Sequence, residues 1–414
     1  MGKRVVVTGL GAITPLGNDV SSTWNGMIAG RSGYGPITIF DPAPYAIKIA
    51  GEIRNFDPLE WVERKDARRM DRNVQFAVAA ARQAVDDSNL NIDASNAESI
   101  GAIIGSAIGG IRMTVDQQKV LEEKGPTRLS PFFLQNLIPD AASGQVAISL
   151  GAKGPNLAIV SACATGGHSL GEAAETIRRG DADAMVAGGT ESCLIPLVLA
   201  GFHVMRALAS GNGNPGSACR PFDLNRSGFV MAEGAAAVVL ESLEHARGRG
   251  ARIYAELVGY GSSNDAFDLA APAEKGEGIA RAMRMALRKA RADPSDIAYI
   301  NAHGTGTPLN DKFETAGVRA VFGDHADKLV MSSTKSMTGH MMGAAGAVEA
   351  LACILSIVNC VVPPTINYEV PDPECDIDCA PNESRAMPVP MAMSNSMGLG
   401  GHNACLIFRS FNDN

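Results

Sequence analysis

Short apolar runs without polar alternation recur along the chain: RVVVTG at 4–9, IGAIIGS at 100–106, LAIVSA at 157–162, AMVAGG at 184–189 and AAAVVLE at 235–241. Continuous hydrophobicity of this length marks strands covered on both faces, and so a sheet sandwiched between helices. The intervening segments supply the helices. Residues 70–88 are alanine-rich, with Phe76, Ala80 and Ala84 on one face, and 277–291 reads the same way. An internal echo narrows the fold further. LAIVSACATGGHSLGEAAETI (157–177) and LVMSSTKSMTGHMMGAAGAVEALACI (329–354) share an apolar strand, small polar residues, a glycine-histidine pair and a small-residue helix. A weaker echo pairs 181–191 with 294–307. Two comparable halves joined near 245–255 imply a pseudo-duplicated α/β architecture, with residues 1–250 and 251–414 as its units and a site where they meet.

The chain is long enough for such a core: 414 residues, 46% hydrophobic and 19% charged. A net charge of −8 argues against nucleic acid as a general partner. The cysteines, 8 in all, are too sparse for a disulfide scaffold and read as reduced thiols of a cytoplasmic protein. Cys375 and Cys379 lack the companions of a zinc site, and no metal or cofactor is expected. Glycines and Pro15 interrupt any signal-peptide core at the N-terminus. The longest apolar stretch, 341–362, carries Glu349 and Asn359 and suits a buried helix better than a membrane span.

Cys163 stands after a strand and before a helix closed by Arg178, Arg179 and Gly180. Unpaired N–H groups at a helix mouth stabilise a thiolate. A lone cysteine is nonetheless most often an inert buried thiol. His303 in INAHGTGTP and His340 in TKSMTGHMMGAAG lie at strand ends of the same layer, and with Cys163 they form a nucleophile with two imidazoles converging on it. Lys335, among small neighbours, is a candidate cationic partner. The glycine-rich SNSMGLGGHNA at 394–404 can bring backbone N–H groups to the site. Lys65, Arg68, Arg69 and Arg72 lie within one another's reach at helical spacing, as a solvated face or a dock for an acidic partner. GLGAIT at 9–14 lacks the third glycine of a dinucleotide fingerprint.

SACATGGHSLGEA, NAHGTGTPLND and SSTKSMTGHMMGAAGAVEA together resemble the three signature stretches of the β-ketoacyl-acyl carrier protein synthases of thiolase fold, nearest to the elongating enzymes of type II fatty acid synthesis. The similarity runs from RVVVTGLG to GGHNACLIF. It implies a layered α-β-α-β-α sandwich and a decarboxylative condensation between acyl- and malonyl-loaded acyl carrier proteins. Carried over, it makes Cys163 the acyl acceptor, His303 and His340 the groups that assist decarboxylation, and Cys163 with Leu399 the source of oxyanion-hole N–H groups. Lys335, Asp311 and Glu314 become the supporting polar network. Thr305 and Thr307 hold the pantetheine arm. Ile108, Phe133 and Phe202 line the acyl pocket, Phe133 coming from the second subunit of a homodimer. Lys65, Arg68, Arg69 and Arg206 face the carrier protein. The chain departs from the family at Leu399 and Met397, where phenylalanines are usual, and at Ala270 and Ser227. FVMAEGAA, DPECDID and NDKFET lean toward the ketosynthase subunits of polyketide systems, which is the alternative reading.

Overall fold

A computed structural model of the chain describes residues 2–412. The strands of its main sheet are β1 (Val5–Ile13), β2 (Ile100–Gly105), β3 (Asn156–Leu157), β4 (Ala184–Glu191), β5 (Gly234–Ser242), β6 (Ala255–Asn264), β7 (Tyr299–Asn301), β8 (Val330–Ser332), β9 (Met391–Gly398) and β10 (His402–Arg409). They form a 10-stranded sheet in the order β8-β7-β9-β10-β6-β1-β5-β4-β2-β3. Outward from β1, the neighbours β5, β4, β2 and β3 pair antiparallel, antiparallel, parallel and parallel. Outward from β6, the neighbours β10, β9, β7 and β8 repeat that sequence of senses. Within the sheet the two halves pair at Val6 opposite Glu256 and Val7 opposite Ala255. The internal echo of the sequence is therefore a duplication of topology.

Five helices complete the layers: α1 (Arg72–Ser88), α2 (Thr165–Arg179), α3 (Glu277–Ala290), α4 (Pro308–Phe322) and α5 (Ala345–Asn359). On one outer face α1 packs on β1, β5 and β4, and on the other α3 packs on β6 and β10. Between the sheet halves lie α2 and α5, which pack on each other and on strands of both halves. The result is the layered α-β-α-β-α sandwich.

The alanine-rich faces have a steric reason. A Cβ on Gly11 of β1 would lie 1.9 Å from the Ala80 carbonyl oxygen of α1, and one on Gly261 of β6 would lie 1.9 Å from that of Ala282 in α3. Helix backbone rests directly on strand backbone at both places, which only small residues on each side allow. In the central layer, a Cβ on Gly166 would fall 2.6 Å from the Ala347 nitrogen, and one on Gly346 would fall 2.6 Å from the Gly167 nitrogen. The apolar segment Met342–Asn359 has the length and apolarity of a membrane span, and it fills this buried layer.

Two expectations change. The run at 157–162 forms only the short β3, because it lies at the open edge of the sheet, with Leu157 59% exposed rather than covered on both faces. The glycine-histidine pairs of the echo are not equivalent either. His168 lies inside α2, whereas His340 precedes the turn that leads into α5. The matching positions are Ala162 and Met342, non-glycine residues with φ of 49° and 45°, each opening a 3-10 turn before its helix. Cys163 therefore corresponds to Gly343, and only one half carries a thiol at this position.

Candidate active site

Cys163 sits in the 3-10 turn Ala162–Ala164 at the mouth of α2, whose far end is closed by Gly180 in the left-handed region behind Arg178 and Arg179. Burial pushes its thiol up to about 12, against the pull of the Lys335 charge and of the Leu399 N–H, with Glu191 pushing the same way as burial. Cys163 therefore rests as a thiol rather than the thiolate that a helix mouth alone suggests. Gly398 presses on this turn: a Cβ there would lie 2.5 Å from the Ser161 carbonyl oxygen and 3.1 Å from the Cys163 nitrogen. The glycine leaves open the space in front of the Cys163 N–H.

His303 follows β7. Its N–H and that of Gly304 donate to the two oxygens of Glu314 on α4, each at 2.8 Å. Asp311 on the same helix accepts from Gly306 at 3.1 Å and from Phe222 at 2.9 Å. Asp311 and Glu314 thus fix the backbone of the 303–307 loop. Lys335 lies beneath it, donating to the His303 carbonyl at 2.5 Å, with Nζ 3.4 Å from His303 Nδ1 and paired with buried Glu349. His340 is held by its N–H on the Val230 carbonyl at 2.7 Å. The two imidazoles stand edge to face, with centroids 5.4 Å apart, and Phe229 backs His340 at 5.0 Å. Burial and then the Lys335 charge hold both imidazoles well below the usual histidine range, so both are neutral.

Cys163, His303 and His340 line one cavity of about 300 Å³, together with Phe202, Phe229, Met397, Gly398 and Leu399. Thr305, Thr307 and Arg206 line it as well. The threonine hydroxyls are 3.0 Å apart. Ile108 packs into the same apolar cluster as Cys163 and Phe202 without lining the cavity. Phe133 is half-buried at the start of a short helix, away from the cavity of its own chain.

The basic run does not form one helix. Lys65 lies in the single turn Arg64–Ala67, with Arg68 closing it, and α1 starts anew after its cap, Asp71. Lys65 and Arg68 are exposed, and Arg69 lies over the Phe132 ring at 4.8 Å. Arg72 turns inward, to Glu233 at 2.8 Å and the Ile53 carbonyl at 3.1 Å, and leaves the cluster.

Residues 2–246 match the β-ketoacyl synthase N-terminal domain, and 254–369 match the β-ketoacyl synthase C-terminal domain. The chain belongs to the β-ketoacyl synthase family. The chain is 52% identical to a 3-oxoacyl-(acyl-carrier-protein) synthase 2 of Staphylococcus aureus (strain COL) over 409 residues, 99% of each chain. It is 50% identical to a protein of the same name from Synechocystis, over 99% of this chain and 98% of that one. Among solved structures, the ishigamide ketosynthase/chain length factor superposes with a TM-score of 0.93 at 37% identity over the full length of both chains. A type II polyketide ketosynthase in complex with its acyl carrier protein gives 0.91 at 35% identity, covering 99% of this chain and 100% of that one.

Several contributors to the synthase site escape sequence reading. Gly398 and Phe229 act through packing. Glu191 accepts from Ser106 Oγ at 2.9 Å, from the Ala107 N–H at 2.8 Å and from the Gly343 N–H at 3.2 Å, and so ties the turn before α5 to the 106–108 loop. A buried carboxyl at the end of an apolar strand was the available signal, in TESC at 190–193.

Proposed function

We propose that this β-ketoacyl synthase elongates acyl chains by two carbons, joining an acyl group on Cys163 to the carbon released when malonyl-acyl carrier protein loses carbon dioxide. The observation that carries this reading is one thiol and two neutral imidazoles on the wall of a single apolar cavity. In the first half-reaction the Cys163 sulfur attacks the acyl thioester carbonyl. The C–S bond to Cys163 forms, the bond to pantetheine breaks, and the departing sulfur takes the proton. In the second half-reaction the malonyl carboxylate leaves as carbon dioxide. Its electron pair becomes an enolate whose oxygen accepts from the N–H groups of His303 and His340. The enolate carbon then attacks the acyl carbonyl, the new C–C bond forms, and the Cys163 sulfur leaves as a thiolate that takes one proton from solvent.

The N–H groups of Cys163 and Leu399 bind the thioester oxygen while charge builds on it. Lys335 orients His303 and keeps it neutral, and Thr305 and Thr307 hold the pantetheine arm. Lys65, Arg68, Arg69 and Arg206 receive the acidic carrier protein. The units of the chain are residues 1–250 and 251–414. The polyketide reading is less favoured, because the relatives at 50–52% identity are named 3-oxoacyl-(acyl-carrier-protein) synthase 2, while the ishigamide ketosynthase/chain length factor and the type II polyketide ketosynthase stand at 35–37%. A homodimer in the cytoplasm accords with the free cysteines and with the open edge strand β3. Leu157 of that edge, Val160 just after it and Ile148 on the helix packed against it are exposed. In such a dimer Phe133 reaches the partner's acyl pocket with Ile108 and Phe202. A sedimentation mass of one chain at micromolar concentration would overturn the dimer.

The Cys163→Ala variant separates the two half-reactions. It retains carbon dioxide release from malonyl-acyl carrier protein but makes no elongated product, whereas His303→Ala or His340→Ala loses release by about 10²-fold or more. Elongated product from Cys163→Ala sinks this assignment.

A further inference from the structure

His168 takes no part in the chemistry above, although it is 7% exposed and stands one helical turn from Cys163. Its Nδ1 lies 2.7 Å from Ser161 Oγ, and its Nε2 lies 3.0 Å from Ser262 Oγ on β6, in the other half of the molecule. It also makes a backbone hydrogen bond with Asn403, at the root of β10. The ring stands edge-on to Tyr260, with centroids 6.3 Å apart. Burial lowers its pKa to about 4, so it bonds as a neutral imidazole with one donor and one acceptor nitrogen.

Both ends of this bridge lead to the reacting centre. Ser161 is the residue before Ala162, which holds a φ of 49° that an alanine adopts only under constraint. The constraints on the turn are the Ser161 N–H on Thr165 Oγ1 at 2.9 Å, the Ala164 N–H on the Ser161 carbonyl at 3.1 Å, and His168 on the Ser161 hydroxyl. At the other end, Asn403 Nδ2 donates to the Gly401 carbonyl at 3.1 Å and to Asp265 Oδ1 at 2.6 Å, which holds the turn that carries Leu399. The Cys163 N–H belongs to the N-terminal half and the Leu399 N–H to the C-terminal half. Two donors serve one oxygen only if each lies within about 2.7–3.1 Å of it, so the seam between the turns must be held to a fraction of an ångström.

We propose that His168 is a positioning residue that couples the Cys163 turn to the Leu399 turn and so sets the geometry in which the acyl transfer to Cys163 takes place. This rests on the assignment of those two N–H groups as the donors for the thioester oxygen.

The test compares two reactions of the same sulfur in the full-length protein. One is single-turnover transfer from octanoyl-acyl carrier protein, which needs both N–H groups. The other is alkylation by iodoacetamide, which puts no thioester oxygen before the two donors and feels the Leu399 N–H only through the acidity of the thiol. His168→Leu removes both hydrogen bonds and is expected to slow acyl transfer about 10²-fold, with alkylation of Cys163 changed by no more than about threefold and the half-saturating carrier concentration unchanged. His168→Asn, which keeps a polar atom where Nδ1 reaches Ser161, recovers most of the rate. Ser161→Ala, a smaller perturbation of folding, shows the same split between the two reactions. Acyl transfer at the wild-type rate in His168→Leu overturns the proposal. So does a parallel fall of acyl transfer and alkylation in both His168→Leu and Ser161→Ala, which marks a role in holding the fold alone. If wild-type protein accepts no octanoyl group while its Cys163 still alkylates, the functional reading itself fails, before any variant is made.

Discussion

An imidazole that must donate an N–H to a forming enolate works best when it is uncharged and stays so over the working pH range. His303 and His340 meet that condition through burial and through the Lys335 ammonium, both of which disfavour a second proton. Protonation of a group whose pKa is lowered begins only at greater acidity, so the loss of activity on acidification moves down with it. The expected kcat profile for condensation is flat through pH 6.5 as the pH falls from 8. A one-proton loss centred at or above 6.5 would contradict the neutral pair. The gathering of Cys163, His303 and His340 on one cavity was legible only from the three as a set, since each alone reads as a buried thiol or a hydrogen-bonded histidine. Their surroundings were not legible, because no spacing rule reports that Ala162 is left-handed, that Gly398 clears the space before the Cys163 N–H, or that burial keeps the thiol protonated.

At the level of elements, the two helices of the central layer cross through Gly166 and Gly346, each pressed on the other helix's backbone. A methyl group at either position has nowhere to go without separating the helices. Gly166→Ala and Gly346→Ala are each expected to cost about 1–3 kcal/mol in denaturant unfolding. The double variant should cost less than the sum, because the helices separate once. Unchanged midpoints would show that the crossing tolerates a side chain. Strands buried on both faces and alanine-rich helices were read correctly from periodicity. Periodicity failed where tertiary context decides. β3 is cut short at an open edge, Asp71 splits the basic segment into two helices, and the left-handed residues rather than the glycine-histidine pairs set the register of the echo.

Across the whole molecule, the duplication explains why the site lies where it does. Each half ends its parallel strands in a turn before a central helix, and the two turns face one another across the sheet seam. One half contributes Cys163 and Phe202, the other His303, His340 and Leu399. Leu399 departs from the phenylalanine usual in the related enzymes and is 38% exposed at the cavity wall. It keeps its N–H directed at Cys163 and presents less bulk at the cavity wall than a phenylalanine would. Division of labour between a thiol that holds the growing chain and imidazoles that generate the carbon nucleophile is most directly tested by following mass at Cys163. Octanoyl-acyl carrier protein is expected to add one octanoyl group to the peptide containing Cys163, and malonyl-acyl carrier protein to discharge it as a ten-carbon 3-oxoacyl product. An octanoyl group found elsewhere, or elongated product formed while Cys163 remains unmodified throughout, would contradict it.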